Sequence, residues 1–251
     1  MLNSMRLRYI LALVFGLTAA SVSAQDVYRF GGLERLDPSR REIMLVFTAA
    51  DKHDGTQAIL RTLKKHRIQA AFFLTGHFYE RFPEDVRLLL RAGHYVGSHG
   101  YAHLLYSSWE NRDAMLVTRQ EFQEDMRRSY ELMAQAGIDT LLARWFMPAY
   151  EHYNDTVSRW AREMGLSLIN YTPGSTSNAD YTVPSMKNYR SSETIYGNIL
   201  ALEEREGLNG HIMLFHLGTH DDRTDKFYQG WLDRLIGELK RRGYRFVLFG
   251  S

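Results

Sequence analysis

Short apolar runs alternate with helical patterns along almost the whole chain after Arg41, and this alternation limits the fold more than any other feature. Strands are predicted at residues 43–47, 70–74, 95–98, 145–147, 166–169, 212–215 and 244–249. Apolar residues at helical spacing predict helices over residues 56–66, 83–90, 118–135, 155–164, 191–204 and 226–241. Strands that alternate with helices are typical of βα units around a parallel sheet, so we expect an α/β barrel.

The first 24 residues have the pattern of a signal peptide. Arg6 and Arg8 precede an apolar run over residues 9–17, and Val22-Ser23-Ala24 offers small residues for cleavage. The run is shorter than the roughly 20 residues that a transmembrane helix needs. We therefore expect residues 1–24 to be removed, the protein to be exported to the periplasm or secreted, and residues 25–251 to form a single domain without a transmembrane segment.

Composition excludes several classes of site. The chain has no cysteine, so it has neither disulfides nor a thiolate zinc site. The formal net charge is only +2, with acidic and basic residues interspersed, so we expect no nucleic-acid surface. A neutral or weakly charged partner is expected, and the sequence gives no indication of the oligomeric state.

Four polar residues follow the carboxyl ends of predicted strands: Asp51, His99, Glu151 and His216. The corresponding rim of a parallel barrel carries the active site in enzymes of this architecture. Polar residues placed for structural reasons alone would not be expected to follow the carboxyl end of a strand in all four cases. The four side chains are therefore predicted to meet at one rim.

His99 and His103 are spaced so that both imidazoles can reach one metal ion. Asp51 is the best candidate for a third ligand, and His53 is a weaker one, while Asp54 is expected to cap the following helix. Two histidines and a carboxylate leave open positions on the metal for water and a polarised carbonyl oxygen. The alternative is that both histidines only make structural hydrogen bonds. His216, in turn, can be a proton donor or a hydrogen-bonded structural residue.

Several segments resemble the polysaccharide deacetylase, or NodB homology, family. Residues 98–103 are similar to the family motif with two metal-binding histidines, and residues 214–216 are similar to the motif that carries the general acid. Residues 70–76 and 242–247 also match, so the resemblance extends from about residue 43 to residue 249. It implies a distorted (β/α) barrel, a carbohydrate substrate, loss of an acyl group such as acetyl, and a divalent metal ion, with zinc preferred over cobalt or nickel.

Two motifs depart from the family pattern. The first family motif has two consecutive aspartates, a base and a metal ligand, whereas residues 48–51 are Thr-Ala-Ala-Asp. The third family motif has an arginine before proline that steadies the base, whereas Met147 precedes Pro148 here and Glu151 follows. The base and its partner are lost together, which indicates a divergent branch with an altered site.

Three functions are compatible with this change. In the preferred one, Asp51, His99 and His103 hold the metal, Glu151 replaces the lost base and His216 is the general acid. The second is a glycoside hydrolase that uses Asp51 and Glu151 as a carboxylate pair. The third is a glycan-binding protein without turnover. Retention of all three histidines favours the first.

Residues in or beside the rim loops are candidates for contact with a sugar. Trp109 and Tyr150 can stack on a pyranose ring, although exposed aromatic residues more often only pack against the protein. Asn170 and Asp180 lie near a predicted long loop over residues 171–189 and are expected either to contact hydroxyl groups or to steady the site.

Overall fold

The computed structural model describes residues 25–249, so the predicted signal peptide lies outside the described residues. The strands are β1 Val27–Arg29, β2 Gly32–Arg35, β3 Glu42–Ala49, β4 Ala71–Leu74, β5 Tyr95–Ser98, β6 Trp145–Phe146, β7 Ser167–Leu168, β8 His211–His216 and β9 Arg245–Phe246. The helices are α1 Thr56–His66, α2 Gly76–Arg81, α3 Pro83–Arg91, α4 Arg119–Gln135, α5 Asp155–Glu163, α6 Ser192–Glu206 and α7 Trp231–Arg241. Within residues 25–249, no helix is long and apolar enough to cross a membrane.

The strands form one curled sheet in the order β1-β2-β8-β3-β4-β5-β6-β7, with β9 beside the start of β3. The pairs from β8 through β7 are parallel, whereas β1–β2 and β2–β8 are antiparallel. A parallel bridge between Leu33 and Ile169 joins the end of β7 to β2, and the Asn170 amide donates to the Leu33 carbonyl at 2.7 Å. The sheet thus closes into a distorted barrel, and the predicted fold class is confirmed.

Alternate residues of the central strand β3 face the two sides of the sheet. Met44 and Val46 belong to the cluster that fills the barrel, whereas Leu45 and Phe47 pack in the cluster under the helices. All eight residues of β3 are buried. Burial on both faces explains why this strand appears in the sequence as a continuous apolar run rather than an alternating one.

Helix boundaries follow local capping chemistry. The Thr118 hydroxyl accepts from the Glu121 amide and Glu121 reaches back to the Thr118 amide, which gives α4 a capping box. The Ser191 side chain accepts from the Thr194 amide and caps α6. Asp54, expected to cap α1, instead bonds to the Thr219 amide and to the side chains of Lys226 and Tyr228.

The structure also differs from the predicted elements at the two ends of the chain. The hairpin β1–β2 was not predicted, and α7 begins at Trp231 rather than at residue 226. Lys226 and Tyr228 hold Asp54, and Gly230 has a φ of +107°, which no helical residue adopts. The residues before Trp231 therefore form an anchored loop rather than a first helical turn.

Buried histidines predict that the fold loses stability in mild acid. Burial lowers the pKa of His94 to about 4, whereas an unfolded histidine has a pKa of about 6.5. Between these values the unfolded chain binds the proton more readily, so the free energy of unfolding falls as the pH drops from about 6.5 to about 4, by up to about 1.4 kcal/mol per pH unit. Urea unfolding at pH 7.5 and pH 5 measures this loss.

A His94→Asn variant is the matched control, because the Asn side-chain oxygen can replace His94 Nδ1 as acceptor for the Ala70 amide without titrating. We expect its stability to change less between the two pH values than that of the wild type. An equal pH dependence in both proteins would contradict the assignment to His94.

Candidate active site

A cavity of about 480 Å³ opens at the carboxyl ends of the parallel strands. Asp51 follows β3, His99 follows β5, Glu151 follows β6, and His216 ends β8. All four side chains line this one cavity, as does His103. The barrel therefore brings together the residues that the sequence placed at strand ends.

His99 is fixed in a defined orientation at the bottom of the site. It is 2% exposed, and its Nδ1 donates to the Met147 carbonyl at 2.8 Å. The remaining ring nitrogen, Nε2, lies 3.8 Å from Glu151 Oε1. Burial and the neighbouring charges of His103 and His216 hold the pKa of His99 well below its usual range. His99 is therefore neutral at pH 7 and presents a free nitrogen lone pair to the cavity.

His103 lies beside His99, with ring centroids 5.0 Å apart. Its backbone is in the left-handed region, with φ at +56°, and its ring packs against Tyr150. Burial and the charge of His216 lower the pKa of His103 to about 4, although Asp51 and Asp125 act in the opposite direction. Both imidazoles are thus in the unprotonated form that a metal ligand needs.

Asp125 holds the loop that carries the two histidines. Its carboxylate accepts from the Tyr101 amide at 2.9 Å, the Ala102 amide at 2.8 Å and the Tyr106 hydroxyl at 2.8 Å. The side chain is 4% exposed. Asp125 lies in the middle of α4, where a sequence pattern alone marks an acidic residue as a solvent-facing one, so its role was not predicted.

Asp51 lines the cavity with the two histidines, but the three side chains are not gathered into a metal site. Among residues 25–249, no three His, Cys, Asp or Glu side chains lie close enough together to hold an ion. The chemistry of the donors still fits one, because His99 and His103 are neutral and the Met147 carbonyl orients His99 as outer-shell partners orient metal ligands. His53 is not at the cavity, since its ring pairs with Asp85.

Glu151 lies in an unusual backbone segment after β6. Residues Ala149–Glu151 form a short 3-10 turn in which Tyr150 and Glu151 both have positive φ, +59° and +52°. Asn170 Nδ2 donates to the Glu151 carbonyl at 2.9 Å and steadies this turn. Non-glycine residues in the left-handed region are strained, and such strain gathers at functional sites. Here it places a carboxylate inside the cavity.

The pKa of Glu151 is raised to about 7. Burial is the main cause, and the nearby Asp180 raises it further while His216 lowers it. A carboxyl group with a pKa near neutrality can both take up and release a proton under ordinary conditions. The position of Glu151 therefore suits acid–base chemistry.

His216 is held by Asp180. The carboxylate accepts from His216 Nδ1 at 2.6 Å and from the His216 amide at 2.9 Å. Burial alone would lower the pKa of His216, but the charge and hydrogen bond of Asp180 outweigh it, and the pKa is raised. The pair orients the ring and favours its protonated form, which is the form that donates a proton.

Of the four residues expected to contact the substrate, two are exposed at the cavity and two form hydrogen bonds within the protein. Trp109 and Tyr150 are 61% and 46% exposed and line the cavity mouth. Asp180 is 1% exposed, and both of its oxygens accept hydrogen bonds from His216. Asn170 is likewise committed to the backbone, through the Glu151 carbonyl and the Tyr171 amide.

Comparison with known proteins shows the family of this chain. A family model described as polysaccharide deacetylase matches residues 35–169, more than half of the chain. The chain belongs to the polysaccharide deacetylase family. A peptidoglycan-N-acetylglucosamine deacetylase from Bacillus cereus is 24% identical over 85% of this chain and 68% of its own length. The predicted enzyme class, a hydrolase of the deacetylase type, agrees with the names of such relatives.

Solved structures of relatives have the same fold as this protein. PdaA of Bacillus subtilis, a family 4 carbohydrate esterase, matches with a TM-score of 0.66 at 20% identity over 90% of each chain. A CE4 family pseudoenzyme from Bacillus anthracis matches with a TM-score of 0.69 at 20% identity, over 87% of this chain and 67% of its own. The same barrel thus occurs in an esterase and in a pseudoenzyme.

Replacing Asp180 should change the titration of His216. An Asp180→Asn variant removes the carboxylate that does most to oppose the effect of burial, so we expect the pKa of His216 to fall. Titration of the labelled histidine ring by NMR measures it. Asp222→Asn removes an exposed carboxylate from the following loop and should leave the His216 pKa unchanged. A fall of equal size in both variants would show that Asp180 is not the cause of the raised His216 pKa.

Proposed function

We propose that this protein is a metal-dependent deacetylase that removes acyl groups, acetyl above all, from a glycan, with Glu151 as the general base and His216 as the general acid. The observation that carries the proposal is the position of the Glu151 carboxylate, 3.8 Å from His99 and in the same cavity as His216. Glu151 thereby lies beside His99, one of the two histidines that we propose as metal ligands. The altered first motif leaves Ala50 at the cavity wall, where a family member would carry a base.

His99, His103 and Asp51 are the proposed ligands of a divalent ion, which would have to draw these three side chains together on binding and would then act as a Lewis acid toward the substrate carbonyl. The hydrogen bond from His99 Nδ1 to the Met147 carbonyl fixes the ring so that Nε2 faces the cavity. Asp125 keeps the loop of His103 in place through two backbone amides. These contacts prepare two nitrogen ligands before any ion arrives.

Glu151 and His216 then divide the proton transfers. Glu151 accepts a proton from the attacking water while the water oxygen forms a bond to the carbonyl carbon of the substrate. His216 donates a proton to the departing nitrogen or oxygen as the bond from the carbonyl carbon to that atom breaks. Asp180 stabilises the protonated ring before this transfer. The products are acetate and the free amine or alcohol of the sugar.

The substrate proposal rests on the relatives and on the mouth of the cavity. Relatives named as peptidoglycan deacetylases act on a cell-wall glycan, and we propose an acylated glycan of this general kind for this protein. The exposed rings of Trp109 and Tyr150 offer flat surfaces for a sugar ring. Export by the N-terminal segment, as proposed from the sequence, would place the protein with such a substrate.

Two substitutions test the base. Glu151→Gln keeps the size of the side chain but cannot accept the proton, and we expect a 100-fold or greater loss of acetate release, on the order of what a general base contributes. Adding Ala50→Asp to that variant restores a carboxylate at the first-motif position and should recover part of the activity. Rates with acetylated chito-oligosaccharides and with model esters are the measurement.

Bound metal should be unchanged in Glu151→Gln, so metal content measured by mass spectrometry is the control. If the variant released acetate at the wild-type rate, Glu151 would not be the base. Absence of acetate release from the wild type and from the Ala50→Asp variant alike would favour the non-catalytic alternative.

Metal binding separates the deacetylase from the glycosidase. We expect zinc to bind the chelator-treated protein with one equivalent, and Asp51→Asn or His103→Ala to weaken this binding at least tenfold, as loss of one ligand does. Calorimetric titration measures it without turnover. A carboxylate-pair glycosidase would keep its activity in EDTA and would release shortened sugars instead of acetate.

A further inference from the structure

A second, smaller cavity of about 170 Å³ adjoins the main one. Glu151, Trp109, Tyr150 and Tyr171 line both cavities, so a ligand at the mouth of the main cavity can extend into the smaller one. Two arginines line the smaller cavity but not the main one: Arg29 from the first hairpin and Arg112 from the loop before α4. Neither arginine has a part in the proposed proton transfers.

The two guanidinium groups share one aromatic ring. Arg29 lies 5.3 Å and Arg112 4.9 Å from the centre of the Phe30 ring. Arg112 also donates to the Tyr153 carbonyl at 2.6 Å, which fixes its side chain. The hairpin itself is held because the Tyr153 hydroxyl donates to the Arg29 carbonyl at 2.8 Å. Two positive charges are therefore kept close together at the wall of one cavity.

The protein does not neutralise this pair. Within the described part of the chain, no aspartate or glutamate lies at ion-pair distance from Arg29 or Arg112. Glu34 lines the same cavity, yet burial raises its pKa even though both arginines act in the opposite direction. A single partly buried carboxyl group does not balance two guanidinium groups. Arginine at a fixed position binds a carboxylate strongly, often with two hydrogen bonds.

We propose that Arg29 and Arg112 form a subsite for a carboxylate substituent of the glycan, so that the substrate is an acidic sugar chain. The inference rests on the proposed function, since it places the acyl group beside Glu151 in the main cavity and the carboxylate in the smaller one. Two sources have this chemistry: the carboxylate of a uronic acid and that of an ether-linked lactyl group.

Binding of matched ligands tests the subsite. One pair is an acetylated glucuronic-acid oligosaccharide and its methyl ester, and the other is an N-acetylmuramic-acid disaccharide and its amide. We expect the acid of at least one pair to bind about tenfold more tightly than its neutral partner, in line with a charge-assisted contact. The pair that shows the preference identifies the source. Calorimetry at low salt gives both dissociation constants without turnover.

Arginine variants test whether Arg29 and Arg112 cause the tighter binding of the acid. In Arg29→Gln and in the double variant with Arg112→Gln, the acid should lose its advantage to within about threefold while the neutral ligand binds as before. Arg29→Gln alone serves if the double variant is unstable, because the Arg29 guanidinium rests on Phe30 and holds no backbone group. Arg159→Gln, an exposed arginine on α5, is the matched control and should keep the preference.

Equal binding of acid and neutral ligand in both pairs, or a preference that survives the double substitution, would overturn the subsite. The proposed function can fail independently of the subsite. If the wild-type protein showed the preference for the acid but released no acetate, the carboxylate subsite would stand and the deacetylase function would be rejected.

Discussion

Parallel pairing of β8 and β4 with β3 sets the level at which the strand ends, and the residues that follow them, meet the main cavity. Thr48 of β3 is opposite His216 of β8 and Phe73 of β4, and Leu74 is opposite Ser98 of β5. Because the strands run in the same direction and in this register, the residues that follow them emerge at one level of the barrel. A shift of one residue in any pair would turn a site residue toward the helices. The packed strands are thus the support on which the chemistry rests.

The site combines this rigid base with strained and buried polar groups. His103, Tyr150 and Glu151 all have left-handed backbone conformations, and all three lie at the main cavity. Neighbours hold two of them: Asp125 fixes the loop of His103, and Asn170 fixes the carbonyl of Glu151. Buried carboxylates that accept several hydrogen bonds are costly to lose, since each partner would be left unsatisfied. Such contacts turn a flexible rim into a preorganised one.

Strong periodic patterns made much of the fold predictable. The apolar runs of β3 and β4 and the spacing of α1 and α4 gave their positions to within a few residues, and the strand ends indicated the cavity. The hairpin β1–β2 was missed because its strands are short and its residues Val27–Arg29 are exposed. Its stability comes from distant contacts, such as that of Tyr153 with the Arg29 carbonyl. No local pattern contains that information.

The partnerships within the site were hidden for a similar reason. Asp180 and His216 are 36 residues apart in the chain, and Asp180 lies in a segment without periodicity. The sequence marked both residues but not their bond. Asp125 was concealed in a helix, and Arg29 and Arg112 converge on one ring from segments far apart. Sequence patterns indicate elements well, whereas pairs of side chains depend on the packing of those elements.

The bridge from Leu33 to Ile169 and the pairing of Arg35 with His211 join the start of the chain to its last third. β2 precedes both partners by more than 130 residues in the chain, so this edge of β2 stays unpaired until the segments around residues 169 and 211 have reached it. Contacts of such long sequence separation form slowly and leave strand edges exposed in the meantime. The barrel can therefore close only as a late, nearly whole-chain event, and a shortened chain would lack the strand against which its first hairpin rests.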